Sequence, residues 1–272
     1  MNPKDIICEA IEKYQPVAIA LLFSGGHDSL VSSFVSAKIL TDLGLDFVVY
    51  HGDTTIGIPE TQQYVKHISK SLGRLFIRKP PNRHDWYDYI VATCGFPGPT
   101  KASHQFMYRR LKERALQHFV THECKSRPYA RENVLLLSGA RQQESKIRMG
   151  YSEPTRKNYS QIWCNPIFYW SEDECIFYIK HNKLPKNSVK EKLCISGECL
   201  CGAFAGKEEP AEIKHYYPDV YDKIDNLHQV AIHNGFPWGW SSGPGEWKKE
   251  EAKKSQLNMF MCVGCESRHN YQ

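Results

Sequence analysis

The sequence predicts an α/β protein: a doubly wound, mainly parallel sheet followed by a C-terminal helical, cysteine-bearing appendage. Three observations predict it. Short apolar runs alternate with stretches of helical periodicity through the first two-thirds of the chain. A glycine-rich turn, Ser24-Gly25-Gly26-His27-Asp28-Ser29, follows the first apolar run directly and opens the first helical pattern. After about residue 183 the alternation stops, and three cysteines fall in one loop. The chain therefore divides into a binding core over residues 1–182 and a cysteine-rich helical region over 183–272.

Taken in order, residues 17–23 are an uninterrupted apolar run and read as a buried strand. In 28–42, Leu30, Val31, Phe34, Val35 and Ile39 recur at helical spacing, and Gly44 is placed to stop the helix. A second strand covers 46–50. The helix over 59–72 has Pro59 at its start, where a missing N–H costs nothing, and Gly73 just past its end. A third strand at 75–77, a helix over 84–93, a Gly/Pro break at 95–99 and a basic helix over 103–122 follow. Residues 133–138 and 162–169 are the fourth and fifth strands. A helix over 171–182 opens with Ser171 and Glu174 three residues on, a capping box. Residues 183–206 read as a loop and 207–234 as helical. Trp238, Trp240 and Trp247 then lie among six glycines and prolines in 235–247. Such rings either pack a subdomain or stack on bases, and packing is the commoner use.

A hydrophobic content of 41% with 24% charged residues excludes wholesale disorder. The net charge of +5 is too mild to mark a nucleic-acid binder and suits a protein that handles anionic nucleotides. No apolar run approaches the ~20 residues that span a bilayer, and the N-terminus lacks the apolar core of a signal peptide. The expectation is a soluble, cytoplasmic protein with no membrane partner. Of ten cysteines, Cys8, Cys94, Cys124, Cys164 and Cys175 are scattered and read as buried thiols. Cys194, Cys199, Cys201, Cys262 and Cys265 are clustered, which in a reducing compartment points to metal ligation or redox chemistry.

In open parallel sheets, ligands sit beyond the carboxyl ends of the strands. The turn at 24–29 falls there. Its glycines let backbone N–H groups approach phosphate oxygens, the helix start adds positive potential, and Ser24 and Ser29 add hydroxyls. No lysine follows, so this is not the GxxxxGK[ST] loop. Asp53 and Thr54 lie just past the second strand, suited to a ribose, a base edge or Mg²⁺, or to an ordinary Asx turn. Gly139 to Arg148 follow the fourth strand on the same rim, where Arg141, Lys146 and Arg148 supply cations for a polyphosphate. Arg109-Arg110-Leu111-Lys112-Glu113-Arg114 is a further basic stretch, of the kind that is usually a solvated helix face. The spacing Cys194-x4-Cys199-x-Cys201 with Cys262-x2-Cys265 offers five thiolates where a metal site needs four, and suits Zn²⁺ or an iron–sulfur cluster.

Four segments in this order resemble the phosphoadenosine phosphosulfate (PAPS) reductase family of the PP-loop, or adenine nucleotide α-hydrolase-like, superfamily. They are SGGHDS, GDTTIGIPET at 52–61, LSGARQQESKIR at 137–148 and NPIFYWSEDECIFYIKHNKLPKNSV at 165–189. The resemblance implies a Rossmann-like core binding an adenine nucleotide. It puts Ser24, Gly25, Gly26, Asp28 and Ser29 around the phosphates, with Asp53, Thr54 and Gly139 on the nucleotide side. Arg141 and Arg148 would then hold its anionic groups. Sulfonucleotide reductases of this fold usually carry a degraded loop, whereas SGGHDS is intact. That implies ATP with Mg²⁺, cleaved between the α- and β-phosphates to adenylate an acceptor. Asp28, Arg141 and Arg148 are the catalytic candidates. The cysteine spacing resembles that of PP-loop sulfurtransferases, which implies a [4Fe–4S] cluster, with Zn²⁺ the alternative. The acceptor would be a nucleic acid or a small metabolite, and a sulfur-donor protein would be the partner. A second expectation is reduction of adenylyl sulfate (APS) or PAPS to sulfite, with Cys265, in a segment only distantly like the reductases' own, as the thiolate. A third is a nucleotide-sensing subunit without turnover.

Overall fold

In the computed structural model, which describes residues 2–143, 153–206, 208–245 and 248, the apolar runs become strands. They are β1 (Ala18–Leu22), β2 (Val48–Gly52), β3 (Leu75–Arg78), β4 (Val134–Leu137), β5 (Thr155–Asn158) and β6 (Gln161–Cys164). One sheet results, in the order β3-β2-β1-β4-β6-β5. All neighbours pair in parallel except β5, which runs antiparallel to β6 at the edge. The two central strands are β1 and β4, and in β1 Leu21 sits opposite Val49 on one side and Leu137 on the other. The strand order reverses beside β1, and that is where such sheets open a crevice for ligands.

The sheet is covered on both faces, which is why its strands read as continuous apolar runs. One face carries α1 (Pro3–Tyr14), α2 (His27–Asp42), α3 (Pro59–Leu72) and α7 (Glu172–His181). There Ile7, Leu21, Leu30, Val49, Leu135 and Ile179 form one buried cluster. The other face is packed by α6 (Arg114–Glu123), whose Phe119 ring lies 4.7 Å from that of Tyr50. A second buried cluster joins α4 (Tyr87–Cys94), α8 (Ser188–Leu193), α9 (Glu209–Tyr216) and α10 (Pro218–His233). Trp238 and Trp240 belong to it and donate their indole N–H groups to the Phe96 and Leu200 carbonyls, each at 2.9 Å. These two tryptophans pack; Trp247 lies outside the described residues.

Several expectations are corrected. The basic helix is α5 (Lys101–Tyr108) and α6 joined by a π turn, Arg109–Glu113. The residue that such a turn inserts shifts the faces on either side. The stretch 84–93 divides into a 3₁₀ turn, Arg83–Asp85, and α4. The C-terminal helical stretch breaks because Pro218 cannot continue a helix and instead starts the next one. Part of the expected loop folds as α8, capped by Asn187, whose side chain accepts from the Val189 N–H at 3.1 Å. The fifth expected strand ends at Cys164. The edge strand β5, Thr-Arg-Lys-Asn, is mostly exposed and has no apolar alternation to announce it. Of the scattered cysteines, Cys164 and Cys175 are buried as expected, but Cys94 is exposed. No helix among the described residues is long and apolar enough to cross a membrane.

Candidate functional site

The turn after β1 leads straight into α2, with Gly26 as N-cap and, among the described residues, no side chain capping the helix start. Gly25 has φ +88°, a conformation open to glycine at little cost. A Cβ there would lie 2.9 Å from Thr61 Cγ2. Ser24 Oγ donates to Ser29 Oγ at 3.0 Å, and Ser29 Oγ donates to the Gly26 carbonyl at 2.9 Å. The hydroxyls thus brace the turn and leave the first N–H groups of α2 for an anion.

Gly139 presses against this helix start from the end of β4. A Cβ on it would fall 2.5 Å from the Asp28 carbonyl carbon, so the two loops can meet only through a glycine. Two residues on, Arg141 is 5% exposed, and its Nε lies 3.0 Å from Asp28 Oδ1. A guanidinium therefore stands at the mouth of the turn. The rim encloses a cavity of about 630 Å³ whose wall includes Ser24, Gly26, Asp28, Ser29, Gly139 and Arg141. That volume suits a nucleotide-sized ligand. His27 Nε2 and Tyr50 Oη are buried without a hydrogen-bond partner among the described residues, and both residues belong to the wall. Burial, then the neighbouring Lys190, pulls the His27 pKa down.

Asp53 and Thr54 are not in that wall. Asp53 accepts from the Thr55 N–H at 2.8 Å, an Asx turn, and Thr54 Oγ1 donates to the Glu198 carbonyl at 2.6 Å. Thr54 belongs to a set of bonds that seats the cysteine loop on the sheet rim. Thr61 Oγ1 donates to the Ser196 carbonyl at 2.7 Å, and the Ile58 N–H to the Gly197 carbonyl at 2.8 Å. Asn187, 1% exposed, donates to both the Gly25 and Ser196 carbonyls at 3.1 Å. The cysteine loop and the glycine turn thus share one buried amide.

The clustered cysteines separate. Cys194, exposed, lines the cavity. Cys199 and Cys201 pack beside the helical cluster. Cys199 draws the Cys201 thiol below its usual range against burial, helped by the Ala203 N–H and Lys112, while the Cys199 thiol is itself pushed up. Among the described residues no three metal-ligating side chains converge. The Cys199–Cys201 pair fits half of a thiolate site; Cys262 and Cys265 lie outside the described residues, as do Lys146 and Arg148. Residues in the cavity wall that the sequence did not single out for the site include Lys112, Lys190, Tyr50 and Glu198. Lys112 Nζ donates to Glu198 Oε2 at 2.7 Å. Burial alone would pull this lysine down, but Glu198 holds it above its usual range.

A family model for the phosphoadenosine phosphosulfate reductase domain matches residues 18–267. Among curated proteins, the uncharacterized proteins MJ0066 and MJ0973 of Methanocaldococcus jannaschii are 29% and 26% identical over 88% and 87% of this chain. The chain spans about half the length of these relatives, 47% and 55%. Among solved structures, a PAPS reductase from Candida auris in a phosphate complex is 15% identical, with a TM-score of 0.49 over 70% of this chain and 84% of that one. The U34-tRNA thiolase NcsA from Methanococcus maripaludis with its [4Fe–4S] cluster is 14% identical, with a TM-score of 0.40 over 88% and 85%.

Proposed function

The chain belongs to the phosphoadenosine phosphosulfate reductase domain family, and from that premise we propose that it is a PP-loop ATP pyrophosphatase that adenylates an acceptor for sulfur transfer. The observation that carries this reading is the intact turn: α2 opens uncapped beside the Arg141–Asp28 pair, in one cavity with Cys194. An acceptor oxygen attacks the α-phosphorus of ATP, and pyrophosphate leaves. The N–H groups at the start of α2, with Ser24 and Ser29, hold the departing phosphates, and Arg141 with Arg148 balances their growing charge. Asp28 is the carboxylate of the turn suited to Mg²⁺ that travels with the nucleotide. Asp53 and Thr54 act on the nucleotide side, Thr54 through the cysteine loop it holds.

Four of Cys194, Cys199, Cys201, Cys262 and Cys265 would hold a [4Fe–4S] cluster, with Zn²⁺ the alternative, and a cluster there would serve the transfer in which sulfur displaces AMP from the adenylated acceptor. A nucleic acid or a small metabolite is the acceptor class, and a sulfur-donor protein the partner. Cys194 in the cavity supports a second reading, a sulfonucleotide reductase whose thiolate forms sulfite from APS or PAPS.

Metal analysis of the anaerobically prepared full chain, run beside a pyrophosphate assay, tests these readings together. Pyrophosphate released from ATP and lost in Asp28→Ala supports the first. Sulfite without ATP consumption supports the second, and tight ATP binding with neither product supports a nucleotide sensor. Zinc without iron would remove the cluster from the account.

A further inference from the structure

The glycine turn has a front and a back. Its front, with Ser24, Gly26 and Ser29, belongs to the cavity wall. Its back rests on Thr61 and Val65 of α3 and on Asn187, all within 4 Å of where a Gly25 Cβ would stand. Asn187 is 1% exposed and is not in the cavity wall. Its amide is used at both ends. Oδ1 accepts from the Val189 N–H at 3.1 Å and caps α8. Nδ2 donates to the Gly25 and Ser196 carbonyls, each at 3.1 Å, with Thr61 Oγ1 beside them at 3.3 Å.

The bond to Gly25 fixes the orientation of one peptide. The Gly25–Gly26 peptide joins two residues without Cβ atoms, so little steric cost opposes its turning over. A trans peptide carries its C=O and N–H on opposite sides. With the Gly25 carbonyl pinned at the back by Asn187, the Gly26 N–H is directed to the front, toward the cavity. Turned over, the same peptide would show a carbonyl oxygen to an anion there, and attraction would become repulsion. The residue type follows from the contacts: the cap needs an acceptor and the two carbonyls need donors, and a side-chain amide supplies both.

We propose that Asn187 is a positioning residue for the glycine turn: it holds the Gly25–Gly26 peptide with its N–H toward the phosphates, from the same amide that seats the cysteine loop. The proposal rests on the reading above that this turn takes the β- and γ-phosphates of ATP.

The test is titration calorimetry of the full chain with ATP, inorganic pyrophosphate and AMP. Asn187→Asp keeps the cap and removes the donors, and Asn187→Leu keeps the bulk and removes both. Each is expected to weaken ATP and pyrophosphate by about tenfold, while AMP, which lacks the two phosphates the turn holds, stays within about twofold. Thr61→Val loosens the cysteine loop but leaves the Asn187–Gly25 bond, and should also keep ATP within about twofold. In the wild type, the Gly26 amide proton should move downfield in NMR when pyrophosphate is added, a readout that needs no variant. The proposal is overturned if that resonance stays in place, if folded Asn187 variants bind ATP as the wild type does, or if they lose AMP as strongly as ATP. A loss in Thr61→Val equal to that in Asn187→Asp would assign the effect to the seating of the loop, and overturns it too. Cleavage is read separately. A wild type that binds ATP and pyrophosphate without forming AMP ends the pyrophosphatase reading, while the outcomes above still decide this proposal; one that binds neither overturns both.

Discussion

Gly139 shows how far one residue governs the candidate site. Its missing side chain lets the end of β4 touch the backbone of Asp28, and the neighbour there is carbonyl carbon rather than a mobile side-chain tip. Gly139→Ala must therefore push the β4 loop and the helix start apart. We expect the variant to fold, because the sheet core lies below this contact, and to bind ATP at least about tenfold more weakly, a loss of 1.4 kcal/mol or more. Titration calorimetry checks this, and unchanged affinity would mean that the approach of the two loops is not needed for binding. The glycines, serines, Asp28 and Arg141 were legible in the sequence because they follow strand ends within short segments. Lys112, Lys190 and Glu198 were not. They come from the π turn, from α8 and from the cysteine loop, and no spacing links residues that meet only through tertiary folding. Tyr50 was hidden for another reason: it reads as one more apolar position of a strand, and only burial shows a hydroxyl without a partner among the described residues.

Among the elements, the 3₁₀ turn before α4 is tied to the π turn and α6 by one carboxylate. Asp85, 1% exposed, accepts from Arg110 at 2.9 Å and also from Arg114. Burial would raise its pKa, but the hydrogen bonds from Arg114 and Arg110 outweigh burial and hold the carboxyl below its usual value. A depressed folded-state pKa stabilises the protein fully above the unfolded value, near about 4, and that stability is lost as pH falls through the folded value. Asp85→Asn should therefore cost about 2 kcal/mol at neutral pH. The gap from wild type should narrow as the pH drops below about 4. Urea unfolding at several pH values reads both, and a gap independent of pH would contradict the assignment. At this scale the central strands, α2, α3 and the Ser171 capping box were legible, because each carries its own local signal. The polar edge strand β5 and the π turn carry none, since solvent exposure sets the first and tertiary packing around Leu111 accompanies the second.

Across the whole molecule, the sheet order reverses beside β1, and the glycine turn, Arg141 and the cysteine loop meet at that point. The parallel sheet and its switch point were readable from the alternation of strands and helices. The seating of the cysteine loop on the rim was not, because it depends on hydrogen bonds between residues more than a hundred positions apart, such as Thr61 to Ser196 and Asn187 to Gly25. Through this seating Lys190, Cys194 and Glu198, from beyond residue 182, share one cavity wall with the glycine turn. The central claim is that this cavity takes ATP and breaks it between the α- and β-phosphates. Its most direct test is ³¹P NMR of ATP incubated with Mg²⁺ and the anaerobically prepared full chain. The account predicts AMP and pyrophosphate in equal amounts, absent with Asp28→Ala. ADP and orthophosphate as the products would contradict it.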